Sequence, residues 1–284
     1  MKLVTYNTQY GVGRDDKYDL ARIAGAVDGA DIIALQEVTR NFARNGGIDM
    51  IEGLAALLPG YFTAFGPAMD LDFGATDGEG RPLNKRFQFG NMVLSRFPIV
   101  ASRNMLLPRT LRLSRGNLQR SALEALVIAP SGPIRIYSVH LDHVSVTERA
   151  LQVSHLKERA FAYAGEGGAI SGSAEYGFPE PPRPSGFILM GDFNMDRFSP
   201  EYALMTGEQD DASREAGGHP IDVYSLGDGL PDGAVSWVDD ARPEDSRLID
   251  FAFVEASLAG KVGKVWIDRE AKGSDHLPVW FELA

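Results

Sequence analysis

The stretch FILMGDFNMD, Phe187 to Asp196, constrains the fold more than any other part of the chain. Four consecutive apolar residues leave no solvated face, so they predict a short strand buried on both sides. That strand runs straight into Gly191 and then presents Asp192 and Asn194 one residue apart, both expected on the same side. A carboxylate and an amide at that spacing suit a hard cation or a phosphate oxygen.

The same pattern recurs along the chain. Lys2 to Tyr6 reads as a strand with Asn7 just past it, and Tyr18 to Ala30 as a helix. The apolar run Ile32 to Leu35 predicts a second strand that ends at Gln36 and Glu37. Ile48 to Leu58 has helical spacing, and strands are expected at Tyr61 to Phe65 and Phe89 to Leu94, on either side of a glycine- and acid-rich loop from Asp70 to Lys85. Ser121 to Ala129 and Ile134 to His140 read as paired strands around the turn Pro130 to Pro133, followed by a helix over Val146 to Tyr163. Gly165 to Gly186 resembles a surface insertion, and weak helical signals run from Ser199 to Leu226. Strands at Leu248 to Val254, Lys264 to Ile267 and His276 to Leu283 close the chain.

The polar residues that end apolar runs are Asn7, Glu37, His140, Asp192, Asn194, Asp250, Asp275 and His276. Any one of them alone is explained by a turn or a helix cap. Together they imply a single site, and because they are spread over nearly all 284 residues, that site needs the chain to fold as one domain. With no cysteine in the sequence, any metal must take oxygen or imidazole ligands. Acids and amides of this type point to Mg2+ or Mn2+, with two histidines at hand to manage protons.

Composition narrows the function further. A hydrophobic content of 44% with mean hydropathy −0.15 describes an ordinary globular protein. The start, MKLVTYNTQYG, has no apolar signal region, and no run approaches the roughly 18 residues of a membrane-spanning helix, so a cytoplasmic location is expected. The net charge of −11 opposes sequence-independent binding to nucleic acid. Against that background, Arg103, Arg109, Arg112, Arg115 and Arg120 lie in a segment without a single acid. Arg109, Arg112 and Arg115 are read either as a frame for an anionic substrate or as a solvated strand edge paired with surface acids, and Arg120 stands apart, leading into the strand to Glu124.

The motifs TYNTQYG, ALQEV, GNMVLSRFPI, QRSALEALV, YSVHLD, LMGDFN, RLIDFAFV and GSDHLPV, in that order over nearly the whole chain, resemble the endonuclease/exonuclease/phosphatase superfamily. The resemblance implies a deoxyribonuclease I-like α/β fold, a four-layer α/β/β/α sandwich of two mixed sheets. It implies that Glu37 is the principal metal ligand with Asn7 beside it, and that Asp275 is a carboxylate of the metal site. Asp192 and Asn194 would orient the attacking water and contact the scissile phosphate, and would also hold a cation. His276 would be paired with Asp250, and either Asp192 or His276 would be the base. His140 would protonate the leaving group or donate a hydrogen bond to it, with Glu124 or Asp142 as its partner. Asn91, Arg120 and Trp237 are implied substrate contacts. One departure from the family pattern, Arg247-Leu-Ile-Asp250-Phe in place of R-I-D-Y, leaves the pairing of Arg247 open. The implied activity is Mg2+- or Mn2+-dependent hydrolysis of a phosphodiester or phosphomonoester of a small or lipid-like molecule. The alternatives are a nuclease that uses Arg103 to Arg120 as its phosphate rim, and a non-catalytic nucleic-acid-binding regulator on the same fold.

Overall fold

The computed structural model describes residues 1–113, 115–207, 218–226, 229–231 and 233–284. In chain order the strands are β1 (Lys2–Asn7), β2 (Ile32–Arg40), β3 (Phe62–Asp72), β4 (Ala75–Thr76), β5 (Pro82–Leu83), β6 (Arg86–Ser95) and β7 (Ile99–Leu106). They continue as β8 (Ser121–Ala129), β9 (Gly132–His140), β10 (Phe187–Asp192), β11 (Ile221–Asp222), β12 (Asp250–Val254), β13 (Val262–Ile267) and β14 (Val279–Leu283). The α-helices are α1 (Leu20–Ala26), α2 (Met50–Leu57), α3 (Val146–Glu166) and α4 (Pro200–Thr206).

Two six-stranded sheets result, one ordered β13-β14-β1-β2-β6-β3 and the other β11-β12-β10-β9-β8-β7. Each is mixed, because β1 and β2 run parallel in the first and β9 and β10 in the second, while their neighbours are antiparallel. Period-2 alternation covers both faces of the first sheet. Leu3, Ile32, Ala34 and Val93 join the core shared with the second sheet, whereas Val4, Tyr6, Ile33 and Leu35 pack with Leu20, Ile23 and Leu54 of α1 and α2. On the second sheet, Val153, Leu156 and Ala160 of α3 and Tyr202 and Met205 of α4 join the same core as β10. Helix, sheet, sheet, helix is the layering, as the motifs imply.

Several polar residues outside the site have local work. Asp19, Asp49, Ser145 and Ser199 cap the four α-helices of the described residues by accepting backbone N–H bonds, each worth about 1 kcal/mol. Among the described residues, no helix is long and apolar enough to cross a membrane.

The expected strands are found, as are helices at Tyr18–Ala30, Ile48–Leu58 and Val146–Tyr163, but some boundaries differ. The strand expected to end at Gln36 continues to Arg40 through a bulge. β3 extends to Asp72, and the expected loop from Asp70 to Lys85 begins as strand, with Asp70 opposite Gln88 and Asp72 opposite Arg86. Polar cross-strand pairs hold this solvated end, so hydrophobic alternation gives no sign of it. Leu248 and Ile249 precede β12, and His276 precedes β14 in an isolated bridge to Trp237. The weak helical signal from Ser199 to Leu226 holds α4 and a 3-10 turn at Val223–Ser225, but Ile221–Asp222 is strand β11, and residues 208–217 lie outside the described residues.

Candidate active site

Because β1 and β2 are parallel neighbours, with Asn7 opposite Gln36, their C-terminal ends reach the same rim. The bulge in β2 falls at Gln36 and Glu37, between the pairs that Leu35 and Val38 make with β6. Glu37 takes φ 59°, a left-handed conformation that is costly for a non-glycine residue. The bulge separates the two side chains. Gln36 points inward and donates to Thr5 and Ser138, tying the sheets together, while Glu37 lines the cleft. The Asn7 amide donates to Asp192 Oδ2 at 3.0 Å and to Glu37 Oε1 at 3.4 Å.

The glycine of GDFN has a steric reason. A Cβ on Gly191 would lie 1.8 Å from the Val139 carbonyl oxygen of the adjacent strand. In register, Asp192 then stands between His140 on β9 and Asp250 on β12. Asn194 does not follow the strand alternation. Its φ of 49° turns it back, so that its N–H donates to Asp192 Oδ1 at 2.9 Å and its side-chain amide donates to the Leu141 carbonyl at 3.1 Å.

On the far side, the Nδ1 of His276 lies 2.8 Å from Asp250 Oδ2. The same carboxylate oxygen accepts from the Ser236 hydroxyl at 2.7 Å, and the Ser236 oxygen accepts from the backbone N–H groups of Ile249 and Asp250. The other imidazole nitrogen, Nε2, faces Asp192 Oδ2 at 3.8 Å. Burial acts to lower the His276 pKa, yet the Asp250 carboxylate, with Asp192 and Asp275, outweighs it and raises the group to about 10. Burial pushes the Asp192 and Glu37 carboxyls up, against the pull of His276 on the first and Arg120 on the second. Asp275 accepts from the Trp237 indole N–H at 3.0 Å.

His140 sits in a different setting. Its Nε2 receives a hydrogen bond from Arg120 Nη1 at 2.8 Å, and its Nδ1 is buried without a partner. Neither expected partner serves it. Glu124 pairs with Arg103 at 2.7 Å, and Asp142 accepts from the N–H groups of Val144 and Ser145 at the start of α3. Burial, and then Arg120, holds the His140 imidazole well below the ordinary histidine range.

Glu37, Arg120, His140, Asp192, Asn194, Trp237, Asp275 and His276 all line one cleft of about 370 Å³. Asp250 and Asn7 support it from behind. Asn91 is not in its wall: its amide donates to the Ser121 and Ser138 carbonyls at 2.8 and 3.0 Å and ties the sheets instead. Residues that pattern reading missed also line the cleft: Tyr10, Phe42, Arg44, Phe89, His143 and Arg247. Arg247 lies over the Trp237 ring at 5.6 Å and 3.6 Å from Asp196, which answers the question of its pairing.

The donor set fits a hard divalent cation. Glu37, Asp192 and Asp275 bring carboxylates to one cleft, and the only hydrogen bond to the Glu37 carboxylate among the described residues is the long one from Asn7. Ligand atoms of Asp192, Asp250 and His276 also lie within 4.8 Å of one another, but Asp250 and His276 already face each other through a hydrogen bond. Among the described residues that is the one close group of potential ligand atoms, and Glu37 and Asp275 line the same cleft.

Residues 4–276 match the model of the Endonuclease/Exonuclease/phosphatase family. Solved structures share the fold. An endonuclease/exonuclease/phosphatase from Beutenbergia cavernae is 23% identical, with TM-score 0.68 over 100% of this chain and 72% of that one. A mannosyl-6-phosphatase from Bacteroides thetaiotaomicron is 21% identical, with TM-score 0.65 over 100% of this chain and 99% of that one. Sphingomyelinase C from Streptomyces griseocarneus is 17% identical, with TM-score 0.60 over 100% of this chain and 99% of that one. No curated protein matches the sequence significantly. The chain belongs to the endonuclease/exonuclease/phosphatase family, whose members are phosphoesterases and nucleases that generally use divalent metals.

Proposed function

We propose that this family member is a metal-dependent phosphoesterase that hydrolyses a small or lipid-like phosphodiester or phosphomonoester. The observation that carries this is the chain of hydrogen bonds Ser236–Asp250–His276, which opens onto Asp192 in the same cleft as Glu37 and the buried Arg120.

Glu37, Asp275 and Asn7 would hold the cation, with Asp192 and Asn194 at its edge, and Mg2+ or Mn2+ suits these ligands. A bound cation would draw charge from a phosphate oxygen and so lower the barrier to attack. The chain's own groups do the rest. Asp250 fixes the tautomer of His276 and keeps it protonated, so His276 offers a proton and a positive charge from Nε2. That leaves Asp192, raised toward neutrality by burial, to take the proton of the attacking water. Asn194, bonded through its N–H to Asp192, orients that carboxylate. Arg120 offers its remaining N–H groups to the phosphate, while His140 accepts from Arg120 and so does not protonate the leaving group from Nε2. β1 and β14 pair although they lie at opposite ends of the sequence, which supports reading residues 1–284 as one domain.

The small-substrate reading is favoured over the nuclease by the arginine segment. Arg103 is paired with Glu124, Arg109 donates to the Asn117 carbonyl and Arg112 to the Ser145 hydroxyl. These arginines have partners within the protein, which weakens their case as a phosphate rim. Two of the solved structures that share the fold carry names in keeping with this reading, a mannosyl-6-phosphatase and a sphingomyelinase. An intact relay speaks against a non-catalytic regulator.

The test is hydrolysis of bis(p-nitrophenyl) phosphate and p-nitrophenyl phosphate beside supercoiled and abasic DNA, with Mg2+, Mn2+ or EDTA. Metal-dependent cleavage of the small esters with DNA untouched is expected. Cleavage of DNA that outpaces the esters and collapses with salt would instead make the chain a nuclease.

A further inference from the structure

Resting on that reading and deepening it, we infer that His143 is a positioning residue, which holds Arg120 in place to receive a phosphoryl oxygen of the substrate. Arg120 is only 3% exposed, and among the described residues no carboxylate lies within ion-pair distance of it. Its two terminal nitrogens are each held at 2.8 Å by an imidazole nitrogen, Nη1 by Nε2 of His140 and Nη2 by Nδ1 of His143. A guanidinium can only donate, so both ring nitrogens accept and both rings are neutral. Its Nε is buried without a partner. The result is a buried cation gripped by two uncharged acceptors, with N–H groups left for an anion.

Neutral holders matter because of what lies nearby. Glu37 and Asp192 are the acids that pull most strongly on Arg120, and a guanidinium free to swing would pair with them and cover the cation ligands. His140 is fixed by its strand. His143 stands on the loop before α3, and that loop is itself pinned: Asp142 accepts from the N–H groups of Val144 and Ser145, and its own N–H donates to the Gln152 side chain. With Nδ1 accepting from Arg120, His143 carries its proton on Nε2 at the cleft wall.

Three readouts test this. The 15N spectrum of the metal-free protein at neutral pH is expected to show His143 unprotonated at Nδ1 and protonated at Nε2. Titration with inorganic phosphate in the presence of Mg2+ is expected to show affinity about tenfold weaker in His143→Leu, the effect of one lost hydrogen bond to a charged group, and close to wild type in His143→Asn, whose side-chain oxygen reaches the Nδ1 position. With p-nitrophenyl phosphate, His143→Leu is expected to raise KM more than it lowers kcat. His143→Gln, which is polar but has no acceptor at the Nδ1 position, is expected to behave like His143→Leu and replaces it if leucine disturbs the loop. A protonated Nδ1, or phosphate affinity that neither leucine nor glutamine changes, overturns the inference while leaving hydrolysis intact. A wild-type protein that turns over no ester overturns the proposed activity, and the spectrum and the phosphate affinities then decide the role of His143 on their own.

Discussion

Two buried polar clusters lie on opposite faces of the second sheet, and they differ in one respect. On the face toward α3, Arg103 clamps Glu124 with bonds of 2.7 and 2.9 Å, and Tyr137 donates to the same carboxylate. Arg135 donates to Tyr137 and to the carbonyls of Ala160, Pro184 and Ser185, with its guanidinium 4.3 Å from the centre of the Tyr163 ring. Every buried side-chain polar atom of these four residues has a partner. On the face toward the cleft, Arg120 Nε, His140 Nδ1 and Asp250 Oδ1 have none, and three carboxylates share the cleft. A satisfied network rigidifies the fold. An unsatisfied one is stable only while the surrounding fold enforces it, and it gains most from a ligand. On this contrast we read the first cluster as structural and propose the second as the site.

Mutations can break the contrast. The largest expected effect on stability is in the satisfied cluster: Glu124→Ala leaves Arg103 and Tyr137 without their acceptor and is expected to cost roughly 3 kcal/mol in a urea melt, with activity per folded molecule unchanged. A loss of activity with full stability would place Glu124 in the site after all. The next effect belongs to the cleft alone. Mg2+ at 100 times its dissociation constant is expected to stabilise the wild type by about 2.7 kcal/mol, and this gain is expected to vanish in Glu37→Ala. A smaller effect has the opposite sign. Glu37→Gln removes a charge whose burial is disfavoured without a cation, so the metal-free protein is expected to unfold at a slightly higher temperature than wild type. If Glu37→Gln is instead destabilising, the Glu37 carboxylate is satisfied and the contrast fails. The smallest expected change is Ser236→Ala, which leaves His276 its carboxylate but loosens Asp250, lowering kcat by roughly threefold, as the low end of a hydrogen bond's net worth would.

What could be read from the sequence follows the same division. Asn7, His140, Asp192 and Asp250 sit where apolar runs meet polar residues, and strand periodicity carries them to one rim. Glu37 was legible as a residue but not as a bulge, because the bulge depends on a φ of 59° that no residue pattern signals here. The relay's anchor, Ser236, and the grip on Arg120, His143, come from loops, where periodicity is silent and only adjacency to Trp237 and His140 hinted at them. The partners proposed for His140 failed because distance along the chain does not separate the faces of a strand: Glu124 points toward α3 while His140 points into the cleft.

The central claim, that the Asp250–His276 pair drives phosphoester hydrolysis, is tested most directly by single-turnover cleavage of bis(p-nitrophenyl) phosphate by wild type and His276→Ala, with circular dichroism to confirm the fold. The account predicts a chemical step slower by about 10²–10⁴ with the fold retained. A rate within about threefold of wild type would contradict it, because a proton-carrying group in the transition state cannot be removed at so small a cost.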